Sequence, residues 1–196
     1  MLITIEGIDG SGKSTLVAGL ERALADLSPL ITREPGATWV GEAVRRSIAE
    51  NTDPITECLL FVADHAAHLA HVVRPALEAG RIVISDRYSD SRYAYQGVTL
   101  DGLFPDPVGW LRRIHEPFTI SPDLTFLCVL PVDEAETRLK THREHFENGC
   151  VLEQVQRNYL SFAEAEPGRF VLVDAMLPAP DVCGFVADEI RRRVCD

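Results

Sequence analysis

Leu2-Ile3-Thr4-Ile5-Glu6 runs directly into Gly7-Ile8-Asp9-Gly10-Ser11-Gly12-Lys13-Ser14, an apolar strand-like run followed by the full phosphate-binding pattern G-x-x-x-x-G-K-[ST]. The glycines let the backbone turn so that successive N–H groups wrap a phosphate. Lys13 adds a point charge for the terminal phosphates, and the Ser14 hydroxyl suits a Mg²⁺ ion. Downstream of Thr15, Leu16, Leu20, Leu24 and Leu27 recur at helical spacing, so the loop joins a strand to a helix. The stretch Gly7-Asp9-Gly10-Ser11-Gly12-Lys13-Ser14-Thr15 is therefore read as a binding loop for a nucleoside triphosphate, the first ligand to test.

Further strand-like runs near Leu30-Arg33 and at Arg81-Asp86, Leu124-Leu130 and Arg169-Asp174 alternate with helical stretches. This order predicts an α/β fold, a three-layer sandwich with a five-stranded parallel sheet covered by helices on both faces. Thr38-Glu50 and Pro54-Gly80 read as helices. Asp53 is the N-cap of the second, and Pro75 should interrupt it because proline lacks the N–H for the residue four back. The polar segment from Asp133 to Gly149 reads as a mobile lid before a helix over 151–165. The 196 residues, 46% of them hydrophobic, suit one domain, 1–196.

A net charge of −11 argues against a nucleic-acid polymer as partner. No stretch approaches the roughly 20 apolar residues of a membrane span. The sequence starts in a strand without a basic leader, and its five cysteines are scattered, so a cytoplasmic protein without membrane contact is expected. Lys13 and Lys140 are its two lysines, so the loop carries a lysine in a chain that otherwise uses arginine.

In an open α/β sheet, ligands sit beyond the carboxyl ends of the strands. Two segments place chemistry there. Ser85-Asp86-Arg87-Tyr88 offers a carboxylate for Mg²⁺ or its waters and a forked cation for a phosphate. Thr32-Arg33-Glu34-Pro35-Gly36 offers a second arginine at a turn. His65, His68 and His71 fall every third residue. On a helix the outer pair lies about 120° apart, which suits a partly polar face better than a metal site. Arg191-Arg192-Arg193 read as cations complementing a helix C-terminus.

Gly7 to Thr15, Thr32 to Gly36, Leu59-Leu-Phe-Val-Ala63, Asp86-Arg-Tyr88 and Ala94-Tyr-Gln-Gly97, in this order and at these separations, resemble the thymidylate kinases across essentially the whole chain. The resemblance implies an enzyme, usually a homodimer, that moves the ATP γ-phosphoryl group to dTMP with Mg²⁺ at Ser14 and Asp86. It implies that Asp9 reaches toward the acceptor sugar and that Arg33 and Arg87 hold the dTMP phosphate. Phe61 would stack on thymine, and Tyr95 would lie beneath the deoxyribose. Ser91 and Gln96 would contact the nucleotide. By periodicity alone Phe61 is an ordinary core aromatic.

This chain departs from the family pattern twice. Many members have an arginine touching the base where His65 stands here, so a weaker imidazole contact to a thymine carbonyl is expected. Gly10 occupies the position at which some members carry a catalytic arginine, which directs that role to the lid. Arg143 is favoured over Arg138, and Lys140 lies between them. Two other readings stand beside this one: a kinase for a different nucleotide or nucleoside, and a nucleotide-dependent switch. The latter is weakened because neither lysine belongs to an Asn-Lys-x-Asp motif.

Overall fold

A computed structural model describes residues 1–36, 38–139 and 149–195. Five strands, β1 (Leu2–Glu6), β2 (Leu30–Arg33), β3 (Val83–Asp86), β4 (Leu124–Val129) and β5 (Phe170–Asp174), form one parallel sheet in the order β2-β3-β1-β4-β5. All five residues of β1 are buried. Ile3 and Ile5 face one side of the sheet while Leu2, Thr4 and Glu6 face the other, so β1 needs cover on both faces.

One face is covered by α1 (Lys13–Ala23), which packs against β1, β3 and the last helix, α9 (Ala179–Cys195). Across the other face, α5 (Ser89–Thr99) packs against α3 (Pro54–His68), α6 (Pro107–His115) and α8 (Gly149–Ala165). Leu16, Leu20 and Leu24 are buried as their spacing predicts, although the α-helix ends at Ala23 and a 3₁₀ turn spans Ala25–Leu27. The remaining helices are α2 (Trp39–Ala49), α4 (Arg74–Glu78) and α7 (Val132–Arg138). Thr38 caps α2, and Asp53 caps α3 by accepting from the Thr56 amide at 3.0 Å.

The stretch expected as one helix over 54–80 differs in detail. It is α-helical to His68, passes through a π-helical turn at Leu69–Val73 and resumes as α4. The disturbance lies before Pro75 because that ring removes a donor and crowds the carbonyl four residues back; the wider turn takes up the mismatch. The segment expected as a lid begins as helix α7, and its residues 140–148, with Lys140 and Arg143, lie outside the described residues.

The strand order makes β1 the switch point: the chain leaves it for β2 on one side and later crosses to β4 on the other. Ligands bind in the crevice such a reversal opens. Register then fixes what meets there, since Ile5 is level with Asp86 and Arg33 with Asp86.

A buried polar tie clamps the far half of the sheet. Arg169 pairs with Asp90 of α5 and donates to Thr125 Oγ1 of β4 at 2.9 Å, with Asp90 almost wholly buried. Removing the cation strands a buried carboxylate, so Arg169→Ala should lower unfolding free energy by about 3 kcal/mol. Urea denaturation should show a lower midpoint at similar slope. The double change Asp90→Leu with Arg169→Met should recover most of the loss. A single variant as stable as the parent contradicts this account.

Candidate functional site

The loop after β1 is shaped by backbone demands that only glycine meets. Gly7 has φ 140°, and a Cβ there would lie 2.5 Å from the Cys128 carbonyl oxygen. Gly10 has φ 81°, and its Cβ would lie 2.4 Å from the Ala135 carbonyl oxygen of α7. The first turn of α7 therefore packs onto the loop itself, which explains sterically why no side chain stands at Gly10.

Lys13 is folded over this loop, 6% exposed, with Nζ donating to the Ile8 carbonyl at 2.7 Å and to Ser11 Oγ at 3.3 Å. Burial and then the charge of Arg87 push its ammonium down to about 8, against the pull of Asp9 and Asp86. Ser14 Oγ donates to Asp86 Oδ2 at 3.1 Å, so a hydroxyl and a carboxylate meet at the mouth of the loop.

Arg87 follows β3 in a left-handed conformation, φ 67°, which is uncommon for a residue with a side chain. Strand-like pairing of its amide with the Ile5 carbonyl at 3.0 Å holds it there. Its guanidinium pairs with Asp9, donates to the Gly7 carbonyl at 3.2 Å and to Ser91 Oγ at 3.1 Å, and lies 5.0 Å from the Tyr95 ring centroid. Tyr95 in turn donates to Asp9 Oδ2 at 2.8 Å while accepting from the Asp9 amide at 2.9 Å. Burial disfavours charge on Asp9, but Arg87 and Lys13 outweigh it and lower its pKa.

Beneath this layer Glu6 accepts from the Tyr88 amide and from the hydroxyls of Ser91 and Tyr159 at 2.6–2.8 Å. Burial, reinforced by Asp90, pushes its carboxyl up to about 7. Glu6 thereby fixes the first turn of α5, which carries the site's side chains.

Two cavities meet at the loop. The first, about 410 Å³, is lined by Asp9, Lys13, Arg33, Phe61, Asp86, Arg87, Ser91, Tyr95 and Gln96, together with Arg45 and Arg92, which the sequence reading did not single out. The second, about 470 Å³, is lined by Cys128, Arg138, Ala175, Leu177 and Val182. Gly10, Gly12 and Thr15 line both. Phe61 belongs to the hydrophobic core and to the cavity wall at once, 8% exposed.

Two expectations need correction. His65 does not reach the cavity: it is fully buried, with Nδ1 on Glu34 at 3.0 Å and Nε2 on Thr119 Oγ1 at 3.0 Å. His65 and His68 do not form a polar face either, because both turn inward onto the buried Glu34 carboxylate, and only His71 is exposed. Arg138 stands on the side of the second cavity, donating to the Ala175 carbonyl at 3.1 Å and to Glu134 at 2.8 Å. No motif announced Arg45 or Arg92; both read as ordinary helix arginines until α2 and α5 bring them to the cavity.

The family profile described as thymidylate kinase matches residues 5–184. The chain belongs to the thymidylate kinase family. It is 68% identical over 193 residues to a protein of Methanoculleus marisnigri named "Probable thymidylate kinase", covering 97% of this chain and 94% of that one. It is 56% identical to one of the same name from Methanospirillum hungatei (98% and 95% covered), and 52% identical to one from Methanocorpusculum labreanum (97% and 98% covered). Members of this family are kinases that draw the phosphoryl group from ATP. Among the described residues no helix is long and apolar enough to cross a membrane.

Lys13 gives this site a pH signature. Its ammonium is charged below about 8 and neutral above, and a bound triphosphate favours the charged form. Binding should therefore take up protons around pH 8, and affinity for ATP should fall as pH rises from about 7 to about 9. Calorimetry in buffers of different ionisation enthalpy reads both effects. A Kd that stays flat over that range contradicts the assignment.

Proposed function

We propose that the chain acts as a single domain and phosphorylates dTMP to dTDP, drawing the γ-phosphoryl group of ATP across the loop that separates the two cavities. The observation that carries this reading is the shared wall: Gly10, Gly12 and Thr15 face both chambers, one rich in cations beside an aromatic floor and the other largely apolar. Phosphoryl transfer needs little covalent help from protein, so alignment and charge neutralisation are what such a wall can provide.

ATP places its phosphates on the amides of residues 7–15 and on Lys13, with its base in the second cavity beside Arg138. The dTMP phosphate lies toward Arg33 and Arg87, with Arg45 at the cavity mouth. Thymine stacks on Phe61, and the sugar sits over Tyr95 within reach of Asp9, while Ser91 and Gln96 close the wall. Arg87 is tied to Asp9 before substrate arrives, so its fork is aimed in advance. Arg143, outside the described residues, is the lid residue best suited by charge to the transferring group. Closure of residues 133–149 would exclude water as a competing acceptor.

The oxygen donors Ser14 Oγ and Asp86 Oδ2, 3.1 Å apart at the mouth of the loop, fit Mg²⁺, which keeps much of its shell for water and phosphate oxygens. When bound, the ion neutralises charge on the transferring group; Ser14 would ligate it and Asp86 would hold its waters. The free thiols Cys58, Cys128, Cys150 and Cys183 suit a reducing compartment, in keeping with a cytoplasmic homodimer of the kind the family resemblance implies.

A coupled assay of ADP release across dTMP, dUMP, dCMP, dGMP and thymidine tests this function. The highest kcat/KM is expected with dTMP and negligible turnover with thymidine, since paired arginines favour an acceptor already phosphorylated. Turnover of thymidine without turnover of dTMP contradicts the proposal.

A further inference from the structure

Directly under the layer formed by Arg87 and Asp9 lies a triangle of three buried oxygens. Glu6 Oε2 is 2.6 Å from Ser91 Oγ and 2.8 Å from Tyr159 Oη, and the two hydroxyls are 2.8 Å from each other. Glu6 is wholly buried, and its other oxygen, Oε1, accepts from the Tyr88 amide at 2.8 Å. Three contacts of hydrogen-bond length call for three hydrogens, and the hydroxyls bring two. With Glu6 ionised, both hydroxyls donate to Oε2 and the contact between Ser91 and Tyr159 holds no hydrogen. A carboxylic proton supplies the third: Glu6 donates to Tyr159, Tyr159 to Ser91, and Ser91 back to Glu6.

Ser91 ties this triangle to the substrate side. Its Oγ also accepts from Arg87 Nη1 at 3.1 Å, so a single hydroxyl separates Glu6 from the guanidinium read above as a holder of the acceptor phosphate. Around Glu6 stand Arg87, which favours its ionisation, and Asp90, which opposes it and is itself paired with Arg169. Tyr159 on α8 and Cys128 on β4 are its other titratable neighbours among the described residues, and burial keeps both un-ionised. In the empty cavity the anionic form of Glu6 offsets Arg87. A phosphate dianion at Arg87 takes over that offset and leaves a buried anion close behind it, which is costly until it is neutralised.

We propose that Glu6 is a proton-linked positioning residue for the acceptor: it takes up a proton as the dTMP phosphate reaches Arg87, closes the ring with Ser91 and Tyr159, and releases the guanidinium to the phosphate. This rests on the reading of the first cavity as the nucleoside monophosphate site. The proton comes from solvent on binding and returns to it when the product leaves, so nothing is consumed. Burial and Asp90 already bring the Glu6 carboxyl up to about 7, and a neighbouring dianion raises it further, so the exchange falls at neutral to mildly alkaline pH.

Calorimetry of dTMP binding without ATP, at pH 7.5 in buffers of different ionisation enthalpy, tests this in the parent and in Glu6→Gln, which is close in shape and neutral at every pH. The parent should take up about half a proton per dTMP and the variant close to none. Ionisation of the dTMP phosphate itself acts in the opposite sense, since binding of the dianion releases protons. In steady state at saturating ATP, the parental KM for dTMP should rise about tenfold between pH 7 and pH 9 and stay flat in Glu6→Gln, a difference that general loosening of the fold would not produce. An uptake that survives Glu6→Gln, as one at Lys13 would, overturns the proposal. If Glu6→Gln does not fold, the infrared difference spectrum of the parent decides: dTMP binding should add the band of an un-ionised carboxylic acid, and a spectrum without it overturns the proposal. A parent that binds ATP but not dTMP overturns the reading of the cavity beneath it.

Discussion

The contact between Arg87 and Asp9 joins what would otherwise be two separate structures, the phosphate loop after β1 and the helix that follows β3. Register puts Ile5 level with Asp86, and the Arg87 amide extends that pairing by one residue onto the Ile5 carbonyl. The left-handed backbone at Arg87 costs on the order of 1 kcal/mol and is held by that pairing. In return the guanidinium turns back over the sheet edge to Asp9, Gly7 and Ser91. Burying it would be prohibitive alone. With Asp9 first among its charged neighbours it stays protonated, its pKa held well above the ordinary arginine value against burial.

The same logic explains how a chain of net charge −11 can gather anionic substrates. Cations are concentrated where the sheet reverses: Lys13, Arg33, Arg45, Arg87 and Arg92 all face one cavity. Below them, Glu6 and Glu34 balance that charge out of contact with solvent, Glu6 under the first turn of α5 and Glu34 under Arg92. Acidic residues elsewhere keep the rest of the surface unattractive to phosphate. Selectivity then arises from geometry within the cavity and not from overall charge.

Much of this was legible in the sequence because it is local. The loop pattern, the strand ending in Asp86, the cap Asp53 and the α/β alternation each depend on residues close together in the chain, where periodicity and turn chemistry act. The Glu34 cluster was not legible. Its members come from a turn after β2, from α3 and from α5, and their meeting depends on packing across the sheet face. His65 shows the consequence. Read along its helix it is a polar residue near the base, whereas in the fold a buried carboxylate 31 positions earlier claims it. Arg92 was invisible for the complementary reason, since an arginine inside a helix carries no local signal of being buried. Likewise, the clash that excludes a side chain at Gly10 comes from Ala135, far along the chain.

The claim at the centre of this account is that Arg87 is aimed at the acceptor phosphate by its tie to Asp9, and steady-state kinetics of Arg87→Ala test it most directly. Loss of a charge-assisted contact of about 3 kcal/mol should lower kcat/KM for dTMP by at least about 100-fold, with a much smaller change in KM for ATP. A folded Arg87→Ala enzyme that turns over dTMP with near-parental kcat/KM would contradict it.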